Sequence, residues 1–124
     1  MTARNVLRAL LLCAAVFSAP LSAAEAPIKI GIVGTGKIGG ALATHWAKAG
    51  HELVISSRHP EELQDLAKKL GPKVRVGTAQ EAAQFGEVVL LSVPYKATPE
   101  VGRDLASAWK GKIVLDTGNP YPFR

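Results

Sequence analysis

Gly34, Gly36 and Gly39 stand where an apolar run, Ile28 to Val33, gives way to an amphipathic stretch that ends near Gly50. Glycines at this spacing let backbone amides, not side chains, hold an anion. Gly34 permits a sharp turn out of a strand, Gly36 keeps a Cβ away from the bound group, and Gly39 lets the next helix press on the strand. The first N–H groups of that helix and the positive end of its dipole then face the anion, so no side-chain cation is required. A G-x-G-x-x-G pattern is common by chance. It gains meaning between a strand and a helix, as here, where it marks the pyrophosphate site of a dinucleotide. A glycine-rich turn in an unrelated α/β protein would carry the same letters.

The end of the second strand selects between the two nicotinamide dinucleotides. An acid about 20 residues past the glycines grips the ribose 2′-hydroxyl of NAD, whereas an arginine accommodates the 2′-phosphate of NADP. Here Ser56, Ser57 and Arg58 follow the apolar run and no carboxylate stands among them. Two hydroxyl donors and a guanidinium suit a phosphate dianion, which predicts NADP(H). A polar loop with a solvated arginine is the alternative.

Short apolar runs alternate with helical patterns along the chain. Strands are expected at 28–33, 52–56, 73–77, 87–93 and 112–116, and helices at 37–49, 60–70, 79–84 and 96–109. Gly50, Gly71 and Gly111 follow helical stretches, and Pro60 opens one. Strand, helix, strand with short connections implies a Rossmann-like, doubly wound parallel sheet in an α/β domain, with strand order 3-2-1-4-5. Ligands of such sheets bind at the carboxyl ends of the strands, where the order reverses between the first and fourth. The fourth strand runs into Val93-Pro94-Tyr95, a rigid apolar ledge that suits one face of a nicotinamide ring and is equally a plain strand terminator. The fifth runs into Asp116, Thr117 and Asn119, polar groups at the same edge that a ligand-free turn of Asn, Gly and Pro would also supply.

Other chemistry finds little support. His45, His51 and His59 are not spaced as metal ligands, and Trp46 and Trp109 sit at helical spacings that suit packing. The formal charge of +5 comes from scattered Lys and Arg without runs or aromatic interleaving, which argues against a nucleic-acid partner.

Residues 1–24 read as a secretory signal peptide. Arg4 and Arg8 give a basic start, Val6 to Leu21 is almost wholly apolar, and Ser22-Ala23-Ala24 offers a small-residue cleavage site. An uncleaved membrane anchor, or retention in the cytoplasm, is the alternative. Cys13, the single cysteine, lies in this leader behind Leu10-Leu11-Leu12, which lacks the small residue of a lipoprotein site. Residues 25–124 then form one NAD(P)-binding domain without thiols, its charge lowered to +3 by the loss of Arg4 and Arg8. The expected location is secreted or periplasmic, and an exported domain without disulfides is more ordinary in a bacterial periplasm than in an animal secretion.

The segments GIVGTGKIGGALATHWAKAGHELVISSRHPE, LLSVPY and IVLDTGNPY together resemble the nucleotide-binding domain of NADPH-dependent deazaflavin (factor 420) reductases. The wider group takes in the cytosolic domain of metalloreductases and, more distantly, pyrroline-5-carboxylate reductases. The glycine turn is widely shared; the combination of SSR, VPY and D-x-x-NP is more specific. The resemblance implies that Gly34, Thr35, Gly36, Lys37, Ile38 and Gly39 surround the pyrophosphate. It further implies that Ser57 and Arg58 hold the 2′-phosphate and that Val93 and Pro94 lie by the nicotinamide. In that family hydride passes directly between two stacked cofactors, so no protein acid or base need act.

Two departures stand out: Glu62 replaces a frequent basic residue near the 2′-phosphate, and the sequence stops at Arg124, before the segment that closes over the second substrate in the family. The reading is an NADP(H)-binding oxidoreductase domain acting on a deazaflavin or other redox acceptor, with a homodimer or partner subunit completing the cleft. A non-catalytic dinucleotide-binding or interaction module, and a shortened copy of a longer reductase, are the alternatives. Export also separates the chain from NADPH, a cytoplasmic currency. Produced in a secreting bacterial host, the mature protein is expected to begin at Glu25 by intact-mass measurement; full-length chain free in the cytoplasm would contradict the leader.

Overall fold

Apolar side chains on both faces of its inner strands dictate that this sheet be covered on both sides. The computed structural model describes residues 25–120; the expected leader over 1–24 and the last residues, 121–124, lie outside the described residues. Five parallel strands form one sheet in the order β3-β2-β1-β4-β5, as the alternation of elements implies. They are β1 (Lys29–Val33), β2 (Glu52–Ser56), β3 (Val74–Val76), β4 (Val88–Leu91) and β5 (Ile113–Asp116). The helices between them are α1 (Lys37–Lys48), α2 (Gln64–Leu70), α3 (Ala79–Phe85) and α4 (Thr98–Leu105).

Ile30, Ile32, Leu53, Ile55 and Leu90 form one core layer beneath α1 and α2, while Val33, Val54, Val89 and Leu91 form the other beneath α3 and α4. Trp46 packs against the first layer and Trp109 against the second, so both tryptophans serve the core.

Three elements differ from the sequence expectation. β4 ends at Leu91, short of residue 93, because Pro94 has no amide to donate and restricts Val93 before it. The segment expected as helix from 60 opens with a 3-10 turn, Pro60–Leu63, before α2 begins. The helix expected over 96–109 is a 3-10 turn, Tyr95–Ala97, followed by α4. After α4 the chain relaxes into turns closed by Ala108 and Trp109 amides on the Leu105 carbonyl.

Gly31, inside β1, has a role that the hydrophobic pattern hides. α3 crosses directly over it, and a Cβ built there would overlap the Ala82 carbonyl. The helix reaches this distance because it presents only the small side chains of Ala82 and Ala83 to the strand. Its ends are satisfied without help from β1. Thr78 and Glu81 form a reciprocal capping box, and the Lys112 ammonium donates to the Ala83 and Gln84 carbonyls.

Gly31→Ala is therefore expected to destabilise the domain by about 3 kcal/mol or more, as forced overpacking does. Gly40→Ala, on α1 where a Cβ meets nothing, is expected to stabilise it by about 0.5–1 kcal/mol. Thermal or denaturant unfolding of the two variants checks the contrast.

Candidate functional site

Register decides which residues meet. Val33 pairs with Ser56 on one side and with Leu91 on the other, and Leu91 pairs with Asp116. The strands thus end in one row across the sheet. Gly34, Ser57, Ser92 and Thr117 form the next row, at the reversal of strand order between β1 and β4 where an open α/β sheet takes its ligand.

The turn after β1 is held from both sides. Gly34 has φ +93° and its amide donates to the Ser56 carbonyl at 3.1 Å. A Cβ there would meet the Ser92 backbone and Val93 Cγ1, so the turn lies directly against the start of the Val93-Pro94 ledge. Gly39, buried in the first turn of α1, allows that helix to rest on the Gly34 carbonyl, with no room for a side chain between them.

Gly36 is the N-cap of α1, in extended conformation, with no side chain to cap the helix and no acid in its first turn. The N-terminal amides of α1 are left open, whereas those of α3 are closed by Thr78 and Glu81. A Cβ on Gly36 would meet no protein atom within 4 Å, so the space in front of it is free for a ligand. Lys37 and Ile38 are exposed beside it. Unsatisfied amides, a positive dipole end and an open approach together fit a pyrophosphate.

Thr35 lies in the turn, but its hydroxyl donates to the Ser56 carbonyl at 3.0 Å, so it braces the turn against β2. Ser56 corrects one expectation. It is 1% exposed and donates to the Ile32 carbonyl at 2.7 Å, which removes it as a phosphate donor. As the last residue of a strand buried on both faces, it points into the fold.

Ser57 is free to serve: its oxygen accepts the His59 amide at 2.9 Å, which leaves the hydroxyl hydrogen available. Arg58 is exposed and has no ion-pair partner among the described residues. Glu62 is also exposed, one turn further on.

At the other side of the turn, Pro94 is exposed and Val93 is half-buried. Sequence reasoning missed the link between Ser92 and β5. The Thr117 hydroxyl lies 3.1 Å from Ser92 Oγ and 3.3 Å from the Leu91 carbonyl, fastening the ledge to the edge strand. Only the register of β4 against β5 reveals it. Asp116 closes its own turn by accepting the Gly118 amide at 2.7 Å, so the polar cluster after β5 is in part structural.

Of the histidines, His51 accepts the Ile28 amide at the far end of the sheet and His45 is exposed on α1. His59 comes within 3.5 Å of Glu61, and with Glu62 they form the one cluster of three metal-capable groups among the described residues. All three side chains are exposed on the loop after β2, where such a weakly held pair contributes little. A groove of about 530 Å³ between α2 and β3, lined by Ala67, Val74 and Val76, lies away from this row of residues.

An uncapped glycine turn at the reversal point of a doubly wound sheet defines a dinucleotide-binding α/β domain. Comparison with known proteins narrows the class. Residues 29–120 match the family described as NADP oxidoreductase, coenzyme F420-dependent, and the chain belongs to it. It is 36% identical over 101 residues to an F420-dependent NADP reductase of Methanothermobacter marburgensis, covering 75% of this chain and 45% of that one. The counterpart from Methanocaldococcus jannaschii is also 36% identical, over 103 residues, with 75% and 46% covered. Metalloreductase STEAP3 of Rattus norvegicus is 33% identical over 96 residues, with 77% of this chain and 19% of that one covered. Among solved structures, a candidate F420-dependent NADP reductase from Arthrobacter sp. FB24 superposes with a TM-score of 0.66 at 27% identity. That match covers 75% of this chain and 46% of the other. The chain thus spans under half the length of the F420-dependent reductases it matches.

Gly36→Val is expected to fold normally, since nothing in the protein meets its Cβ, and to lose dinucleotide binding in calorimetric titration. Gly34→Ala is expected to unfold at lower temperature, because it is both strained at φ +93° and crowded by Ser92.

Proposed function

We propose that this chain is the NADP(H)-binding part of an oxidoreductase in which hydride moves between NADPH and a deazaflavin such as F420, or another redox acceptor. The observation that carries the reading is the uncapped N-terminus of α1 at Gly36, with Ser57 and Arg58 in the neighbouring strand-end position. The bound dinucleotide supplies the hydride chemistry. The amides of α1 hold the pyrophosphate, with Gly34, Thr35 and Gly39 fixing the turn and Lys37 and Ile38 flanking it.

Ser57 donates its free hydroxyl hydrogen and Arg58 its guanidinium to the 2′-phosphate. Val93 and Pro94 give one face of the nicotinamide an apolar, rigid support that excludes water from that side. The protein's contribution is orientation of the two rings, with no side chain required to move a proton.

The match of residues 29–120 to the F420-dependent NADP oxidoreductase family supports this reading. The acceptor's side of the cleft is proposed to come from a homodimer or a partner subunit. The apolar segment 6–21 supports export, with cleavage after Ala24 and release into a periplasm or secretion; the source of NADPH there is set by what the exported chain encounters.

Arg58→Ala is expected to weaken NADPH binding about tenfold, the lower range for a charged hydrogen-bonded contact at an exposed site, and to leave NADH nearly unchanged. Glu62→Lys is expected to shift the NADPH to NADH affinity ratio in the opposite direction by a smaller factor, because its charge is screened by solvent. Titration of both nucleotides into both variants reads the ratio. Equal loss of the two nucleotides in Arg58→Ala would end the NADP assignment.

A further inference from the structure

The loop after β2 carries more acid than base. Arg58 is its one permanent cation, and Glu61 and Glu62 follow on the 3-10 turn Pro60–Leu63. That turn brings the acids back to the residue before it. The Glu62 amide donates to the His59 carbonyl at 3.1 Å, and the 3-10 spacing sets residue 62 over residue 59. The imidazole and both carboxylates consequently lie within 4.8 Å of one another, with His59 Nδ1 3.5 Å from Glu61 Oε1. Glu61 is the only acid within 4.0 Å of the His59 ring among the described residues.

His59 is tied to Ser57 as well, whose hydroxyl oxygen accepts its amide at 2.9 Å. A phosphate oxygen that takes the Ser57 hydroxyl hydrogen stands two hydrogen-bond lengths from that amide, roughly 6 Å, which is inside the screening distance of physiological salt. The charge of this small group is thus felt where the 2′-phosphate is proposed to sit. With a neutral imidazole the loop is net negative and opposes a phosphate dianion. With an imidazolium it is balanced, and Arg58 is left to meet the phosphate. The neighbouring elements add Asp65 in the first turn of α2 and Lys37 at the start of α1, residue types whose charge does not change where imidazoles titrate.

We propose that His59 is a third nucleotide-selecting residue: once protonated, it takes up the Glu61 and Glu62 charge, so that Ser57 and Arg58 can hold a 2′-phosphate. This rests on the NADP(H) reading and adds to it a dependence on pH that the serine and arginine do not have. Imidazoles titrate between about pH 5 and 8, so His59 raises the preference for NADP over NAD on mild acidification. A phosphate monoester loses charge over the same range, near about pH 6, which works the other way; a variant without the imidazole isolates the part played by His59. The side chains are 62% exposed at His59 and 70% at Glu61, so their contact adds little to folding and variants here are expected to fold.

Calorimetric titration of NADP+ and NAD+ into the chain from about pH 5.5 to 8 tests it. Relative to His59→Gln, the unaltered chain is expected to prefer NADP+ about threefold more at the acid end, the factor of one screened charge, and equally at the alkaline end. His59→Lys is expected to keep the stronger preference at every pH. By NMR, the His59 imidazole is expected to hold its proton to higher pH with NADP+ bound than with NAD+ bound. A His59→Gln chain whose preference follows the same pH course as the unaltered chain overturns the inference. Arg58→Ala separates that failure from failure of the NADP(H) reading: selective loss of NADP+ keeps the reading, whereas equal loss of both nucleotides ends it together with the inference.

Discussion

The backbone of β1 is touched directly by other backbone, and the rest of the molecule is arranged around those contacts. α3 rests on Gly31 from one side, and α1 rests on Gly34 through Gly39 from the other. Neither approach tolerates a methyl group. Side chains then fill the space around these contacts: Ile30 and Ile32 beneath α1 and α2, Val33 beneath α3 and α4. Because α1 is seated by contact with the strand it follows, its N-terminal amides are aimed without any help from loop side chains. The site is in this sense a by-product of close packing.

The two helix starts on either side of β1 illustrate what the fold does with unsatisfied amides. In α3 they are closed by Thr78 and Glu81, a pair readable in the sequence as a threonine followed three residues later by a glutamate. In α1 the same positions are Gly36 and Gly39, which can offer nothing. Leaving those amides open is a cost to the empty domain that an anion offsets on binding. An anion held at these amides would therefore stabilise the domain through α1 and not through α3.

Much of this could be read from the residues. Apolar runs bounded by glycines and prolines located all five strands, and the strand-glycine-helix sequence located the turn. What escaped depended on register or on faces. β2 is buried on both sides, so its sequence has no alternation to show that Ser56 points inward; by letters alone it looked like one more hydroxyl beside Ser57. Gly31 lies inside an apolar run, and nothing in the letters shows that α3 rests on it. The Ser92–Thr117 bond joins residues 25 apart, and only the pairing of β4 with β5 brings them together. Val93, expected as the last residue of β4, stands just past it, next to Pro94.

Lys112 reaches back from the start of β5 to the last carbonyls of α3, the helix that lies on Gly31. Its effect is on the order in which the domain can be completed. β1 acquires β2 early in synthesis, but its other neighbour, β4, begins only at residue 88, and α3 gains its terminal clasp only when residue 112 has emerged. Contacts this distant in sequence form slowly. The glycine turn, although encoded near the beginning of the described residues, gains the support of Ser92 and Thr117 only after most of those residues have been made.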